Sequence, residues 1–302
     1  MPHTRKLVRM ERFKENIDKQ IVFNQDKNIL LNNLDLFQFS NQTIEFISDI
    51  DKLSHDSKLV LIDYATNKAI EEFCRVNQYY SFDSKAKSEL KKIYSELFDS
   101  FSNPTTPVEV ISNNHYNRLK EWLKNSNPFV ERIYVNADKK ITPVACSEYS
   151  QELQVDLLKI DIKNLMQPVL DIGCGRNGHM VKYMLNQGIN VTGIDRFSFS
   201  TPNFETADWL EYEYKPNNWG TIISNLGFSN HFVHHNLRED GKYVEYAKTY
   251  MNILNSLKKG GRFHYAPDLP FIEQYLDSSQ FLIEKQEIEG NEFEMTIITR
   301  LK

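Results

Sequence analysis

From residue 147 onward, short apolar runs alternate with amphipathic stretches, and the first run opens directly into Gly173-Cys174-Gly175-Arg176-Asn177-Gly178. That order confines the second half of the chain to few folds. A strand that feeds a glycine turn and then a helix begins a crossover unit, and repeated crossovers build a parallel sheet with helices on both faces. The periodicity predicts helices at 150–160, 179–186 and 243–257. Strands are expected at 169–172, 190–194, near Phe204, 219–224 and 262–265, with a final pair at 281–288 and 293–301. Glu289-Gly290-Asn291 joins that pair as a hairpin, which makes one edge antiparallel. The expected fold class is α/β: a doubly wound, Rossmann-like, mostly parallel sheet with an antiparallel C-terminal edge hairpin, plus a mainly helical N-terminal domain.

The first half has a different grain. After Asp83, the residues Leu90, Ile93, Tyr94, Leu97, Phe98 and Phe101 recur at helical spacing until Asn103-Pro104. Tyr116, Leu119, Trp122 and Leu123 form a shorter stripe of the same period, and 130–135 reads as a strand. The change of character near residue 145 predicts a helical N-terminal cap or substrate domain at 1–146 and a cofactor-binding domain at 147–302. The basic start, with Arg5, Lys6, Arg9 and Arg12, reads as a solvated or frayed terminus rather than a binding arm. Tyr79, Tyr80 and Phe82 read as core residues.

Composition excludes several classes. With 302 residues, 40% of them hydrophobic, the chain can bury a large core. No apolar run approaches the roughly 20 residues that span a bilayer, and the N-terminus lacks the apolar stretch of a secretory signal. Three cysteines, Cys74, Cys146 and Cys174, form no paired framework, so a cytoplasmic address is expected. A net charge of -5, from 36 basic and 41 acidic side chains, removes the bulk argument for a nucleic-acid partner. The expected partner is a small molecule, with no membrane.

The chemistry concentrates where strands end. The second strand closes on Gly193-Ile194-Asp195, which places a carboxylate 20 residues beyond Gly175, where the ribose of an adenosine-containing ligand sits in this kind of fold. Asp171 then discriminates between two cofactors. A dinucleotide lays its pyrophosphate on the helix N-terminus, where a neighbouring anion is unfavourable. S-adenosyl-L-methionine carries no phosphate and presents a sulfonium and an ammonium, which a carboxylate attracts.

On these residues, the segment 147–302 resembles class I S-adenosylmethionine-dependent methyltransferases. The run 169–175 looks like the family's first motif and Gly193-Ile194-Asp195 like its acidic ribose motif. Ala207-Asp208-Trp209 matches the position that contacts adenine, 219–225 looks like the fourth motif, and Leu-Lys-Lys-Gly-Gly within 254–262 like the turn into the fifth strand. The resemblance implies cofactor contacts from Tyr149, Asp171, Gly173, Cys174, Gly175, Asp195, Arg196, Asp208, Trp209 and Asn225. Asn225-Leu226-Gly227-Phe228 lacks the tandem prolines of the enzymes that methylate exocyclic base nitrogens. Cys174 itself reads as a small residue fitted to a tight loop, not as a nucleophile.

The implied activity is methyl transfer to an oxygen or nitrogen nucleophile, of a small molecule or, as the alternative, of a protein or other macromolecule. A non-catalytic S-adenosylmethionine-binding module and an NAD-linked oxidoreductase are the rivals from other classes. His231, His234 and His235 follow the fourth strand and are the candidate general bases. Their helical spacing without an accompanying carboxylate set does not favour a metal site. His264 and Tyr265 end the fifth strand, and Asp268 in the following loop is expected at the mouth of the pocket.

Overall fold

The computed structural model describes residues 2–31, 36–50, 52–102, 105–134, 139–141, 143–144, 148–197 and 199–302, with α1 side chains from Met10 onward. It divides the chain into two compact units, Met1–Cys146 and Ser147–Lys302. Asn103, Pro104 and Cys146, which carried sequence expectations, lie outside the described residues.

The first unit is helical. Its elements are α1 (Pro2–Phe23), α2 (Asn41–Ile50), α3 (His55–Val76), α4 (Ser84–Ser100), α5 (Val108–Ser126) and α6 (Val130–Tyr134). Asp83 caps α4 by accepting the Ala86 N–H at 2.8 Å, and Ser54 caps α3 through the Ser57 N–H. Helix α3 packs against α1 and α4, and α4 against α5. Tyr80, Phe82, Leu90, Trp122 and Leu123 are buried in the shared core. Trp122 stacks on Phe82 at 4.8 Å and donates its indole N–H to the Ala86 carbonyl.

Two expectations for this unit are corrected. Of the run read as a strand at 130–135, residues 130–134 form helix α6, because Val130 and Tyr134, one helical turn apart, both turn into the core, and Val135 lies outside the described residues. The frayed part of the second reading does not hold, since α1 begins at Pro2, whereas Arg12 is exposed, as a solvated start requires, with its guanidinium 4.7 Å from the centre of the Phe46 ring.

The second unit is a seven-stranded sheet flanked by helices. Its strands are β1 (Val169–Ile172), β2 (Val191–Asp195), β3 (Phe204–Thr206), β4 (Trp219–Asn225), β5 (Leu257–Ala266), β6 (Phe281–Glu287) and β7 (Glu294–Arg300), in the order β3-β2-β1-β4-β5-β7-β6. The first five pair in parallel, whereas β7 runs antiparallel to both β5 and β6, so the C-terminal hairpin forms the reversed edge. The helices are α7 (Gln151–Leu157), α8 (His179–Asn186), α9 (Phe228–Asn236), α10 (Tyr243–Ser256) and the short α11 (Pro270–Glu273).

Side-chain alternation splits the apolar residues between the two faces. Leu170, Ile172, Ile222 and Phe263 pack against α9 and α10, and Val169, Val191, Ile223 and Ile297 pack with Met180 and Met184 of α8. Helix α7 ends before the expected residue 160 because Lys159 adopts a left-handed φ of 48°. Strand β5 starts earlier than the expected 262, at Leu257, and its pairing to β4 is interrupted: Trp219 faces Leu257, then Thr221 faces Arg262. Among the described residues no helix is long and apolar enough to cross a membrane.

Candidate functional site

The β1–α8 loop hangs from the end of β2. Gly173 and Cys174 donate their N–H groups to the Ile194 carbonyl at 2.9 and 3.2 Å, and Gly175 donates to Asp195 Oδ2 at 2.9 Å. Gly173 holds a φ of +77°, and a Cβ there would meet the Trp209 ring at 3.1 Å. Gly178 opens α8 at a φ of +54°, where a Cβ would lie 2.1 Å from the Phe204 ring of β3. The third glycine therefore serves close contact between helix and strand. Cys174 packs against Gly193, and burial raises its thiol pKa, so it is no reactive thiolate.

Two acids are buried at the ends of the adjacent strands β1 and β2. Asp171 is 2% exposed, and its Oδ2 has no hydrogen-bond partner among the described residues. Burial, helped by the Asp195 charge, raises its pKa to about 8. Burial raises Asp195 as well, opposed by the Arg196 charge and by the backbone N–H groups of Gly175, Phe197 and Arg196. Asp195, expected to face a ribose diol, thus already has one carboxylate oxygen engaged by the glycine loop. Asn225, at the end of β4, holds a second unpartnered buried acceptor, its Oδ1.

Trp209 stands over the glycine turn. Its indole N–H donates to Tyr246 Oη at 3.3 Å, and its ring meets His231 edge-on at 4.9 Å. Asp208, one residue earlier, accepts the Leu210 N–H at 2.9 Å and so caps the turn that sets the tryptophan. Ser224 braces the floor, donating its hydroxyl to the Ile172 carbonyl at 2.9 Å and accepting the first N–H of α9.

The three histidines do not converge on one point. Among the described residues, no three His, Cys, Asp or Glu side chains group as metal donors. His235 stacks on Tyr246 and accepts the Lys242 N–H on Nδ1; burial lowers its pKa to about 3. His234 lies 3.1 Å from the Arg238 guanidinium, and burial together with that charge lowers it to about 4. His231 is buried against Trp209, and desolvation with the nearby Arg196 holds its pKa well below the usual range. All three are neutral at pH 7.

The neighbours of the sequence-derived residues are equally informative. Tyr149 is half-buried and its carbonyl accepts from Gln154, but Glu148, which sequence reasoning missed, reaches the glycine loop. Its carboxylate accepts the side-chain and backbone N–H groups of Asn177 and lies 3.6 Å from His179 Nε2. Asp268, expected at the pocket mouth, accepts Lys285 Nζ at 2.7 Å and the Glu294 N–H at 3.2 Å, both from the C-terminal hairpin. His264 is buried, with Nδ1 3.0 Å from the Leu158 carbonyl.

Neither a family model nor a curated protein sequence matches this chain. Solved structures do. The N-methyltransferase NodS of Bradyrhizobium japonicum, in complex with S-adenosyl-L-homocysteine, is 13% identical, with 50% of this chain and 87% of that chain covered and a TM-score of 0.38. The 1,6-didemethyltoxoflavin-N1-methyltransferase of Burkholderia thailandensis is 18% identical over 50% of this chain and 76% of that chain, with a TM-score of 0.33. An rRNA methylase of Streptococcus thermophilus is 12% identical over 52% of this chain and all of that chain, with a TM-score of 0.34.

Proposed function

We propose that the second unit binds S-adenosyl-L-methionine at the carboxyl ends of β1 and β2, and that the chain is a methyltransferase acting on an oxygen or nitrogen nucleophile of a small molecule. The observation that carries this reading is the pair of buried acids, Asp171 and Asp195, beside a glycine loop. A site with an unpartnered buried carboxylate oxygen favours a cationic ligand and disfavours a pyrophosphate. On this reading, Gly173, Cys174 and Gly175 provide the close backbone approach and Asp171 the field that holds the cationic end. Asp195, with Arg196, serves the ribose; Asp208 and Trp209 flank adenine; Tyr149 and Asn225 complete the rim.

The bound cofactor supplies an electrophilic methyl carbon on sulfur. The methyl group would pass to the acceptor's oxygen or nitrogen, leaving a neutral thioether, and the acceptor would give its proton to solvent or to a base. His234 and His235, lowered to about 4 and 3, are weak bases at neutral pH, so positioning carries most of the rate. Residues 1–146 are the proposed substrate domain.

The test uses the full chain and cofactor labelled in the methyl group, incubated with a cell extract split into low-molecular-weight and macromolecular fractions. Label entering small molecules is the expected result. Label confined to protein or RNA would replace this acceptor class with the macromolecular one.

A further inference from the structure

The helical unit holds a cavity of about 170 Å³ bordered by α1 to α5, with walls that are almost entirely apolar. Such a volume is unusual in a core that otherwise excludes voids larger than a water molecule. An apolar cavity of about 150 Å³ takes up benzene, so this one admits an apolar body of roughly six to eight carbons. The wall is part-exposed at Ile21, Asn24, Asp26, Lys27 and Glu72, near the C-terminal ends of α1 and α3, and the mouth lies there.

That mouth carries a cation without a counter-charge. Lys27 Nζ donates to Asn24 Oδ1 at 2.7 Å and lies 4.3 Å from the centre of the Phe23 ring and 6.0 Å from that of Phe37. Phe23 is exposed and Phe37 is buried in the cavity wall, so the ammonium stands between solvent and the cavity. The two acids on the wall, Asp26 and Glu72, are both held by Arg75. Among the described residues no carboxylate pairs with Lys27: burial lowers its pKa, and no acid is near enough to raise it.

A second lysine adds to this charge. Asn28 donates its N–H to the Lys139 carbonyl at 2.9 Å, Ile141 donates to the Asp26 carbonyl at 2.8 Å, and Lys27 faces Lys140 across an antiparallel bridge. Side chains opposite each other in such a bridge leave on the same side, where like charges repel. Lys140 is exposed and has no ion pair among the described residues. An anion beside the two lysines relieves their repulsion.

Deeper in, nothing compensates an anion. Tyr94 lines the cavity with a hydroxyl that makes no hydrogen bond among the described residues, and His115 is neutral, its pKa lowered to about 3 by burial and the Arg118 charge. A carboxylate carried in to those groups loses its hydration without gaining a counter-ion. The charged end of a ligand therefore stays at the mouth while its apolar body goes inward.

We infer that this cavity binds a monocarboxylate with an apolar body of roughly six to eight carbons, the body among Phe37, Phe39, Phe46 and Leu119 and the carboxylate on Lys27 beside Lys140. The inference goes beyond the methyltransferase reading and does not depend on it, since binding here requires no cofactor.

The experiment titrates the full chain, without cofactor, with octanoate, 1-octanol and octylammonium, which share one chain and differ in charge. Octanoate is expected to bind saturably, one per chain, at least about tenfold more tightly than either of the others. Lys27→Gln should weaken octanoate about tenfold and octanol less than about twofold, whereas Lys27→Arg should hold octanoate within about threefold of the parent. In the parent protein, NMR should show nuclear Overhauser contacts from the octanoate methyl group to the Phe39 and Phe46 rings, a readout that no variant's folding can disturb. Absence of saturable octanoate binding, octylammonium or octanol binding as tightly, octanoate affinity unchanged in Lys27→Gln, or methyl contacts elsewhere overturns the inference.

Discussion

A carboxyl group that is 2% exposed, with an oxygen that finds no donor, opposes folding whenever it is charged. For Asp171, with a pKa raised from 3.8 to about 8, the folded state holds a proton that the unfolded chain has lost over that window. Its contribution to stability is therefore fully present below about pH 4 and is lost as pH rises through about 8. Asp171→Asn should stabilise the cofactor-free protein at about pH 8 by roughly 1–3 kcal/mol in urea unfolding, while weakening S-adenosyl-L-methionine binding at least about tenfold. A mutant that loses stability at that pH would contradict the electrostatic account. Glu148→Gln should leave stability within about 0.5 kcal/mol but weaken cofactor binding a few-fold, measured by calorimetry, because it loosens the loop at Asn177. The glycines, Asp171 and Asp195 were legible in the sequence because strand, turn and strand keep fixed spacing. Glu148 was not, since it meets Asn177 from 29 residues away and no periodic pattern marks it. The histidines could be found by position, but their chemistry was hidden, because burial and the charges of Arg196 and Arg238 come from the fold.

Elements were most legible where one apolar period repeats. Helix α8 falls at the expected 179–186, and the antiparallel pairing of β6 and β7 follows from the turn between them. Where two periods fit the same residues, tertiary packing decided: the segment of Val130 and Tyr134 has the β-branched look of a strand, yet both residues are buried one helical turn apart. The Lys-Lys-Gly-Gly segment is carried within β5 by a pairing irregularity that sequence alone does not announce. The coupling of α8 to β3 hinges on Gly178, where the Phe204 ring occupies the place of a side chain. Gly178→Ala should therefore destabilise the second unit by about 2–4 kcal/mol in thermal or urea unfolding, through overpacking and a left-handed backbone. Its effect should appear first as lost hydrogen-exchange protection in α8 and β3. Unchanged protection there would show that the ring yields freely.

At the scale of the whole molecule, the two units own separate cores, one filled by aromatic helix faces and the other by the two sides of a sheet. A fragment spanning 147–302 should accordingly fold and bind S-adenosyl-L-methionine within about threefold of the full chain, and fail to turn over the acceptor. Acceptor identity is what the sequence left unread, because specificity is built from surfaces with no fixed motif. The central claim is that a buried pair of acids beside the glycine loop, with Asp171 giving up its proton on binding, selects a cationic adenosine ligand. The most direct measurement is calorimetric titration of the full chain with S-adenosyl-L-methionine and with NAD at about pH 6.5, in buffers of different ionisation enthalpy. With the Asp171 pKa at about 8, the account predicts saturable binding of S-adenosyl-L-methionine with release of up to about one proton per site, and NAD binding at least about tenfold weaker. Preference for NAD, or cofactor binding without proton release, would contradict it.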